Sequence, residues 1–357
     1  MKQPKSNLKA LFIFPSYSRN ETNHYPYWYQ LIEEVGKKVE AIILFESGKG
    51  RPKLKNVKQA VVQKTTLKPF NLLERFLLIL KFTKKGYKKI YIHYSFWSVF
   101  LTKFISLFIP VKIYYWNCEK YEKNPNNLLL SLALSWCDVL VTGHKSIAKA
   151  YRENFNLINK PIKIVSNWVE NNKLQASSFK LQAGRKNILF IHHLSPRKGS
   201  RELPEIISKT VKDNSKVHFH IIGDGPDFDW LKQETETFKK NVTLYGSLPL
   251  KKVISFYKSA DVFIMPSRSE GFPRVILEAM AYGVPFAATK TGCVAEIAPE
   301  IQKQFLTPPG HPALFAKKVK KLIEFDNKKK LIRKNYQQAK KYSKAKAVLS
   351  LEKLFKK

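Results

Sequence analysis

Short apolar runs alternate with amphipathic helical patterns along most of the chain. In the first half, the pattern predicts strands at Leu8–Pro15, Val39–Phe45, Ile90–His93, Val111–Trp116 and Val139–Thr142, and helices at Tyr27–Lys38, Leu72–Lys85 and Phe96–Phe108. The second half repeats this plan, with strands predicted at Asn187–Ile191, Val217–Ile222, Val242–Tyr245, Val262–Met265 and Pro285–Ala288. Because continuous apolar strands that alternate with helices are typical of parallel sheets covered on both faces, the pattern predicts an α/β protein.

The length of 357 residues suggests about two domains. The polar stretch Glu170–Lys186, which contains Ala183-Gly184, separates the two repeats of the pattern and is typical of a linker. We therefore predict a first domain over residues 1–172, a linker over 173–186 and a second domain over 187–340. A final helix over 341–357 is expected to return toward the first domain.

The formal net charge of +37 predicts attraction to polyanions, while 44% hydrophobic residues are enough for packed cores. Residues 313–357 hold fifteen lysines and one arginine against two glutamates and one aspartate, a balance of +13. Apolar residues recur among them, which predicts a pair of amphipathic basic helices. An anionic membrane surface, a nucleic acid or a phosphate-bearing substrate would each match this charge. The stretch Leu72–Lys89 mixes apolar residues with lysines, as in an interfacial helix or a helix that covers the sheet and exposes lysine to water.

The cysteines and the apolar runs indicate the cellular compartment of the protein. Cys118, Cys137 and Cys293 form no CxxC pair, which disfavours a disulfide scaffold or a zinc site and fits a reducing cytosol. The apolar run Ala10–Phe14 is too short for a signal-peptide core, and Phe96–Ile109 is shorter than the ~20 residues of a membrane span. We expect a cytoplasmic protein whose membrane contact is peripheral, on the inner face of the plasma membrane.

The chemically informative stretch follows the predicted strand Val262–Met265. A polar loop begins at Pro266, a helix is predicted over Pro273–Tyr282, and Gly283 is expected to end that helix. The free N–H groups at such a helix start can bind an anion.

Two carboxylates flank this helix start, Glu270 in the loop and Glu278 within the helix. A carboxylate in either position can accept hydrogen bonds from a pair of sugar hydroxyls. For an isolated pair of glutamates, a helix-capping carboxylate and a solvated helix face would be the simpler interpretation. The residues around the pair therefore decide between sugar binding and a structural role.

The whole stretch, Pro266-Ser-Arg-Ser-Glu-Gly-Phe-Pro-Arg-Val-Ile-Leu-Glu-Ala-Met-Ala-Tyr-Gly-Val-Pro, resembles the EX7E signature of the retaining glycosyltransferase family four. The resemblance implies a GT-B fold, in which two Rossmann-like domains face a central cleft. It implies that the first domain binds an acceptor and the second a nucleotide-sugar donor, such as a UDP- or GDP-sugar. It further implies that Glu270 contacts the donor sugar and Glu278 the ribose hydroxyls, and that donor hydroxyls or phosphate are held at Gly271, Phe272, Pro273 and Arg274.

Three more segments are similar to elements of the same family. Phe190-Ile-His-His-Leu-Ser-Pro-Arg-Lys-Gly implies that Lys198, next to Gly199, neutralises the donor diphosphate. Here His192 and His193 replace the usual Gly-Arg, although His193 could still donate to a phosphate. Ile221-Ile-Gly-Asp-Gly-Pro places Gly223 in the family's strand-end turn, and Leu244-Tyr-Gly-Ser-Leu-Pro places Leu248 in a loop that often packs near the nucleotide base.

The first half matches the family only in general pattern. Pro15-Ser-Tyr-Ser-Arg-Asn-Glu replaces the paired glycines expected after the first strand. Where family members often carry a histidine, this chain has Trp116-Asn117-Cys118-Glu119, and His93 after an earlier strand is an alternative polar group. We keep His93 and Asn117 as candidates for a catalytic role in the cleft. The competing interpretation of His93 is a strand-end histidine bonded to backbone.

We expect no metal and no resident cofactor. Asp227-Phe-Asp229 matches the DxD tripeptide that holds a divalent metal in other glycosyltransferases. Here it precedes a helical run, which favours helix N-capping. His218 and His220 face one way along a strand, and two ligands are too few for a closed zinc site, so packing within the sheet is expected.

The predicted function is transfer of a sugar from a nucleotide sugar to a hydroxyl of a glycan or lipid-linked acceptor, with retention at the anomeric carbon. By resemblance, the biosynthesis of a cell-envelope polysaccharide is the expected setting. Two alternatives stay open: a nucleic-acid-binding protein driven by charge, and a GT-B epimerase or inverting transferase. We do not expect nucleic acid as a partner, because motifs that combine aromatic and basic residues are missing.

Overall fold

The structure is a computed structural model that describes residues 8–17, 25–50, 52–119, 128–170, 181 and 183–356. The chain divides into two compact units: unit 1 is Met1–Ser166 with Lys344–Lys357, and unit 2 is Asn167–Ser343. Most of the predicted linker over 173–186 lies outside the described residues. None of the helices in the described part combines the length and the apolarity of a membrane-spanning segment.

Unit 1 is built on a seven-stranded sheet in which all neighbouring strands are parallel, with the order β3-β2-β1-β4-β5-β6-β7. Its strands are β1 Lys9–Phe14, β2 Glu40–Phe45, β3 Gln59–Val62, β4 Lys89–His93, β5 Lys112–Trp116, β6 Val139–Thr142 and β7 Ile162–Ile164. Its helices are α1 Tyr25–Val35, α2 Phe70–Lys84, α3 Phe96–Ser106, α4 Leu128–Trp136, α5 Lys145–Asn154 and, from the end of the chain, α14 Lys344–Lys356.

Unit 2 contains a six-stranded parallel sheet with the order β10-β9-β8-β11-β12-β13. Its strands are β8 Lys186–Ile191, β9 Val217–Ile222, β10 Val242–Leu244, β11 Val262–Met265, β12 Phe286–Thr289 and β13 Leu306–Thr307. Its helices are α6 Leu203–Asp213, α7 Phe228–Glu234, α8 Leu250–Ser259, α9 Arg274–Ala281, α10 Val294–Ile297, α11 Glu300–Lys303, α12 Pro312–Ile323 and α13 Lys328–Ala339. The predicted α/β class, with two Rossmann-like parallel sheets, is confirmed.

Three strands were not predicted, β3, β7 and β13, and all three lie at sheet edges. β3 and β7 are partly exposed, and β13 is only two residues long. An edge strand has a neighbour on one side only and does not need the continuous apolar run that identifies a central strand. The sequence pattern therefore predicted the central strands of both sheets and, of the four edge strands, only β10.

The basic tail forms three helices rather than the predicted pair: α12, α13 and α14. The last one packs on the unit 1 sheet. Phe355 is fully buried, its ring lies 5.5 Å from that of Phe12, and the hydroxyl of Tyr114 donates to the carbonyl of Leu354 at 2.8 Å. The buried apolar residues of α14, which are Ala347, Leu351, Leu354 and Phe355, therefore belong to the core of unit 1, although the chain reaches them last.

The strand order places the candidate residues of unit 2 together. β8 is the first strand of this sheet and has β9 on one side and β11 on the other. The order in which strands are added therefore reverses between β8 and β11, because β9 and β10 lie on one side of β8 and β11 lies on the other. In open parallel sheets such a reversal leaves a crevice at the carboxyl ends of the two strands, and ligands bind there. The loops that follow β8 and β11 carry Lys198 and Glu270.

Gly223, directly after β9, allows a close approach of two backbones. Its φ of 141° lies in a region that favours glycine, and a Cβ added there would collide with the carbonyl oxygen of His192. We predict that Gly223→Ala lowers the free energy of unfolding by about 2–4 kcal/mol, through backbone strain and overpacking together. Urea denaturation followed by circular dichroism would measure this loss.

Gly310→Ala is the matched control. Gly310 also has a positive φ, of 77°, but a Cβ there would have no atom within 4 Å. Strain alone should cost this variant about 1–2 kcal/mol. Equal losses in the two variants would contradict the assignment of the close contact to Gly223.

Candidate functional site

The loop and helix after β11 have the predicted form. α9 spans Arg274–Ala281, one residue shorter at each end than the predicted helix, and Gly283 follows its C-terminus with a φ of 74°. Pro273 is in an extended conformation and caps the helix rather than forming its first residue. Because the Pro266–Pro273 loop starts at the carboxyl end of β11, its side chains lie at the strand reversal described above.

Glu270 is a buried carboxylate with two basic neighbours. The ammonium of Lys198 donates to both of its oxygens, at 2.7 Å to Oε1 and 2.8 Å to Oε2. Nε2 of His192 lies 2.9 Å from Oε1. Lys198 and His192 both come from the segment after β8, 72 and 78 positions away in sequence. The site therefore depends on the adjacency of β8 and β11 in the sheet.

The ring of His192 has a defined protonation pattern. The backbone N–H of His193 donates to Nδ1 of His192 at 3.0 Å, so Nδ1 acts as the acceptor. The proton of a neutral ring is then on Nε2, where it is donated to Glu270. Burial lowers the pKa of His192, and the charges of Lys198 and Arg197 lower it further, against the opposing effect of Glu270. We infer that His192 is a neutral hydrogen-bond donor.

The pKa of Glu270 is lowered from 4.5 to about 2. Burial by itself would raise the pKa, but the hydrogen bonds from His192 and Lys198 and the charge of Lys198, joined by the charge of His192 once acid protonates its ring, outweigh burial. Glu270 is therefore ionised at neutral pH. Because the pKa in the folded protein lies below 4.5, the group stabilises the fold fully above pH 4.5, and this contribution is lost as the pH falls toward 2.

Backbone contacts hold the two loops together. Lys198 ends a short 3₁₀ turn, Pro196–Lys198, and is buried along with Gly199. The carbonyl of Arg197 accepts from the backbone N–H of Arg268 at 2.9 Å. The position of Lys198 relative to Glu270 is therefore set by main-chain hydrogen bonds as well as by the ion pair.

Glu278 lies on α9 and has two partners of its own. Its Oε1 accepts from Nη2 of Arg274 at 3.2 Å, and its Oε2 accepts from the hydroxyl of Tyr257 at 3.1 Å. The guanidinium of Arg274 also lies 5.5 Å from the centre of the Trp168 ring. The side chain of Glu278 retains partial exposure to solvent. It is a fixed carboxylate that can still accept further hydrogen bonds.

The loop between the two glutamates is fixed from several directions. The carbonyl of Gly271 accepts from the N–H of Cys293 at 2.9 Å, and the carbonyl of Phe272 accepts from the side-chain amide of Asn167 at 2.8 Å. The ring of Phe272 is buried and lies 5.5 Å from that of Tyr342. The backbone at Gly271, Phe272 and Pro273 is thus preorganised.

The remaining predicted residues of unit 2 lie on neighbouring loops. Gly223 follows β9 and contacts the backbone of His192, as described above. His193 is exposed, and Leu248 is half-buried in the segment between β10 and α8. Both stay predictions as donor-binding residues.

His93 and Asn117 belong to unit 1, at the ends of the paired strands β4 and β5. His93 is fully buried among aromatic rings: it stacks on Phe14 at 4.8 Å and is nearly parallel to Trp116 at 5.7 Å. The Oδ1 of Asn117, also buried, accepts from the hydroxyl of Tyr151 at 2.7 Å. Their proposed catalytic roles stay predictions.

Asp227 does not cap α7, contrary to the prediction. No cap hydrogen bond is made by its side chain. Instead, its buried carboxylate accepts from Arg201 through Nε at 3.0 Å and Nη2 at 2.6 Å, and from the hydroxyl of Ser200. Both Arg201 nitrogens donate to Oδ1, and such charge-assisted hydrogen bonds are a stronger interaction for a carboxylate than a cap. The described residues contain no group of three or more His, Cys, Asp or Glu side chains arranged to hold a metal ion.

His218 and His220 pack within the unit 2 sheet, as predicted. Nε2 of His218 lies 2.9 Å from the hydroxyl of Thr243, and His220 lies 2.9 Å from both the Tyr245 hydroxyl and Oδ1 of Asn187. Burial and the charge of His218 lower the pKa of His220 to about 4.

His192 is the site residue that the sequence did not identify as a partner of Glu270. The available signal was its position directly after β8, at the place of the glycine in the Gly-Arg element that this segment resembles. A side chain at that position fills space beside Glu270 that a glycine would leave open.

Comparison with known proteins finds similarity that lies mainly in unit 2. Residues 172–342 match the model for "Glycosyl transferases group 1". A segment of 114 residues, 31% of this chain, is 33% identical to the GPI3 subunit of phosphatidylinositol N-acetylglucosaminyltransferase from Saccharomyces cerevisiae, of which it covers 25%. A segment of 181 residues, 49% of this chain, is 29% identical to TuaC of Bacillus subtilis, which is named for teichuronic acid biosynthesis and of which it covers 44%.

A solved structure is similar over almost the whole chain. Anabaena HepE in complex with UDP-glucose superposes with a TM-score of 0.75 at 17% identity, covering 97% of this chain and 99% of HepE. This likeness confirms the predicted GT-B class of fold. By contrast, the matched segments span about a quarter to a half of the curated relatives' length.

The contact between His192 and Glu270 leads to a prediction about stability. His192→Ala removes a hydrogen bond to a buried charge and should lower the free energy of unfolding by about 1.5–3 kcal/mol at pH 7. His192→Gln, whose amide N–H can replace Nε2–H, should recover part of this loss. Urea denaturation of the three proteins would measure both effects.

His193→Ala is the control, because His193 is adjacent but exposed. It should change the stability by less than about 0.5 kcal/mol. A His192→Ala variant as stable as the wild type, or a His192→Gln variant no better than His192→Ala, would contradict the proposed hydrogen bond.

Proposed function

We propose, from the match of residues 172–342 to the group 1 glycosyl transferases, that the protein transfers a sugar from a nucleotide-sugar donor to a hydroxyl group with retention at the anomeric carbon. The observation that supports this proposal is the ionised carboxylate of Glu270, which Lys198 and His192 hold in the loop before α9. The second carboxylate, Glu278, is fixed on α9 itself.

In this proposal the two carboxylates bind different parts of the donor. Glu270 is anionic and rigid, so it can accept hydrogen bonds from hydroxyls of the donor sugar without reorganising. Glu278, partly exposed and anchored by Arg274 and Tyr257, accepts from the two ribose hydroxyls. The spacing along one loop and one helix would then fix the sugar relative to its nucleotide.

Lys198 and the start of α9 are proposed to stabilise the leaving nucleoside diphosphate. Negative charge grows on the diphosphate as its bond to the anomeric carbon breaks, and a nearby ammonium and helix N–H groups oppose that charge. His193, Gly199 and Arg274 are expected to contribute to the same region. We propose that these groups replace a metal ion, so that transfer continues when divalent cations are chelated.

The relatives support a donor and an acceptor class. HepE was solved with UDP-glucose, and the GPI3 subunit is named for transfer of N-acetylglucosamine to phosphatidylinositol. TuaC is named for teichuronic acid biosynthesis. We propose a UDP- or GDP-sugar as the donor, a glycan or lipid-linked acceptor, and cell-envelope polysaccharide biosynthesis as the setting.

Thermal unfolding with a panel of sugar nucleotides tests donor binding. A ligand that binds only the folded state raises Tm, so at least one UDP- or GDP-sugar should stabilise the wild-type protein. Glu278→Ala should raise the Kd for that ligand about ten- to hundredfold, because hydrogen bonds to a charged group contribute about 1.5–3 kcal/mol. Glu300→Ala, at an exposed glutamate on α11, should leave the Kd unchanged.

Unchanged donor affinity in Glu278→Ala would refute its role. If no sugar nucleotide stabilises the protein and RNA binds with a steep salt dependence, the nucleic-acid alternative replaces the enzyme. NMR of the product distinguishes retention from inversion or epimerisation, and the same assay with a chelator tests independence from metal ions.

A further inference from the structure

An apolar stripe is exposed along α2 of unit 1. Phe70, Leu73 and Leu77 are 63%, 56% and 54% exposed. Their spacing of three and four positions places them on one face of the helix. Leu67, just before the helix, is also largely exposed. Isolated exposed leucines are ordinary, but a contiguous series on one face indicates a binding surface.

The stripe continues onto α3. Phe104, Leu107 and Phe108, at the C-terminal end of α3, are 54%, 70% and 74% exposed. The two helices are joined by Phe76 and Phe104, whose ring centres are 5.9 Å apart. We call this surface the apolar face and define it by Leu67, Phe70, Leu73, Leu77, Phe104, Leu107 and Phe108.

Positive charge borders the apolar face. Lys81 and Lys84 follow Leu77 at helical spacing, so the same side of α2 changes from apolar to basic, and both lysines are exposed. Residues 67–112 contain eight lysines against a single acidic residue, Glu74, while the one arginine, Arg75, is buried in an ion pair with Glu46. The carboxylate of Glu74 accepts from the backbone N–H groups of Lys64 and Thr65.

We propose that the apolar face docks on an anionic lipid bilayer. Bulky apolar side chains would enter the boundary between headgroups and acyl chains, while the lysines bind anionic headgroups. Protein interfaces are generally depleted of lysine, which favours a lipid surface over a protein partner. The docking would give the proposed transferase access to lipid-linked acceptors. Only this role in acceptor access rests on the proposed function, because binding to lipid requires no donor.

Co-sedimentation of the full chain with vesicles tests the proposal. Phosphatidylcholine vesicles containing phosphatidylglycerol should bind the protein strongly, and pure phosphatidylcholine vesicles at least about tenfold more weakly. The double variant Leu73→Ser/Leu77→Ser should lose about tenfold in partitioning to anionic vesicles, because two apolar side chains no longer enter the bilayer. The control Leu314→Ser/Leu349→Ser changes two exposed leucines elsewhere and should bind like the wild type.

A second pair of variants separates the apolar face from the overall charge. Lys81→Glu/Lys84→Glu and Lys329→Glu/Lys330→Glu each change the net charge by the same amount, and all four lysines are exposed. Only the first should lower vesicle binding, by at least about tenfold. Equal losses in both would show that the charge of the whole chain attracts the vesicles and would overturn the proposal.

Two other results would also overturn it: equal binding to neutral and anionic vesicles, or a self-association in sedimentation that Leu73→Ser/Leu77→Ser abolishes. The latter would identify a second copy of the chain as the occupant. The donor proposal is tested separately, because the serine and glutamate variants should keep the stabilisation by sugar nucleotide. Vesicle binding without any sugar-nucleotide stabilisation would leave the docking surface standing and remove the transferase assignment.

Discussion

The negative charge of Glu270 is buried, and burial of a charge is costly unless a close partner compensates for it. Lys198 and His192 provide that compensation through hydrogen bonds of 2.7–2.9 Å. Loss of either partner would leave a charge without full compensation in a low-dielectric environment. The loop after β11, the turn after β8 and the proposed donor site therefore all depend on one cluster of three side chains.

Parallel topology makes the cluster possible. β8 and β11 are far apart in sequence but hydrogen-bonded neighbours in the sheet, so their carboxyl ends bring Lys198 and Glu270 into contact. Close packing of the backbone at Gly223 and the hydrogen bond from the N–H of Arg268 to the carbonyl of Arg197 restrict the loops further. Unit 1 uses the same sheet plan, but its exposed α2 and α3 carry the apolar face. The two units thus share a topology and differ in the chemistry of their surfaces.

Sequence reasoning recovered the central strands, because they are continuous apolar runs, and α9, because a proline and a glycine mark its ends. The edge strands β3 and β7 were missed, since partial exposure removes the apolar signal. The resemblance led to Glu270 and Lys198, but not to the contact of His192 with Glu270, which depends on the direction of a side chain. The capping role predicted for Asp227 was wrong because Arg201, 26 positions away, is the stronger partner.

At neutral pH, Glu270 is held as a carboxylate between the ammonium of Lys198 and the neutral imidazole of His192. NMR titration of the protein with ¹³C-labelled glutamate side chains, with Glu270→Gln used to assign the signal, tests it directly. The Glu270 carboxyl carbon should titrate with a pKa of about 2, well below 4.5. A midpoint at or above 4.5 would contradict the account, because burial would then outweigh the contacts with Lys198 and His192.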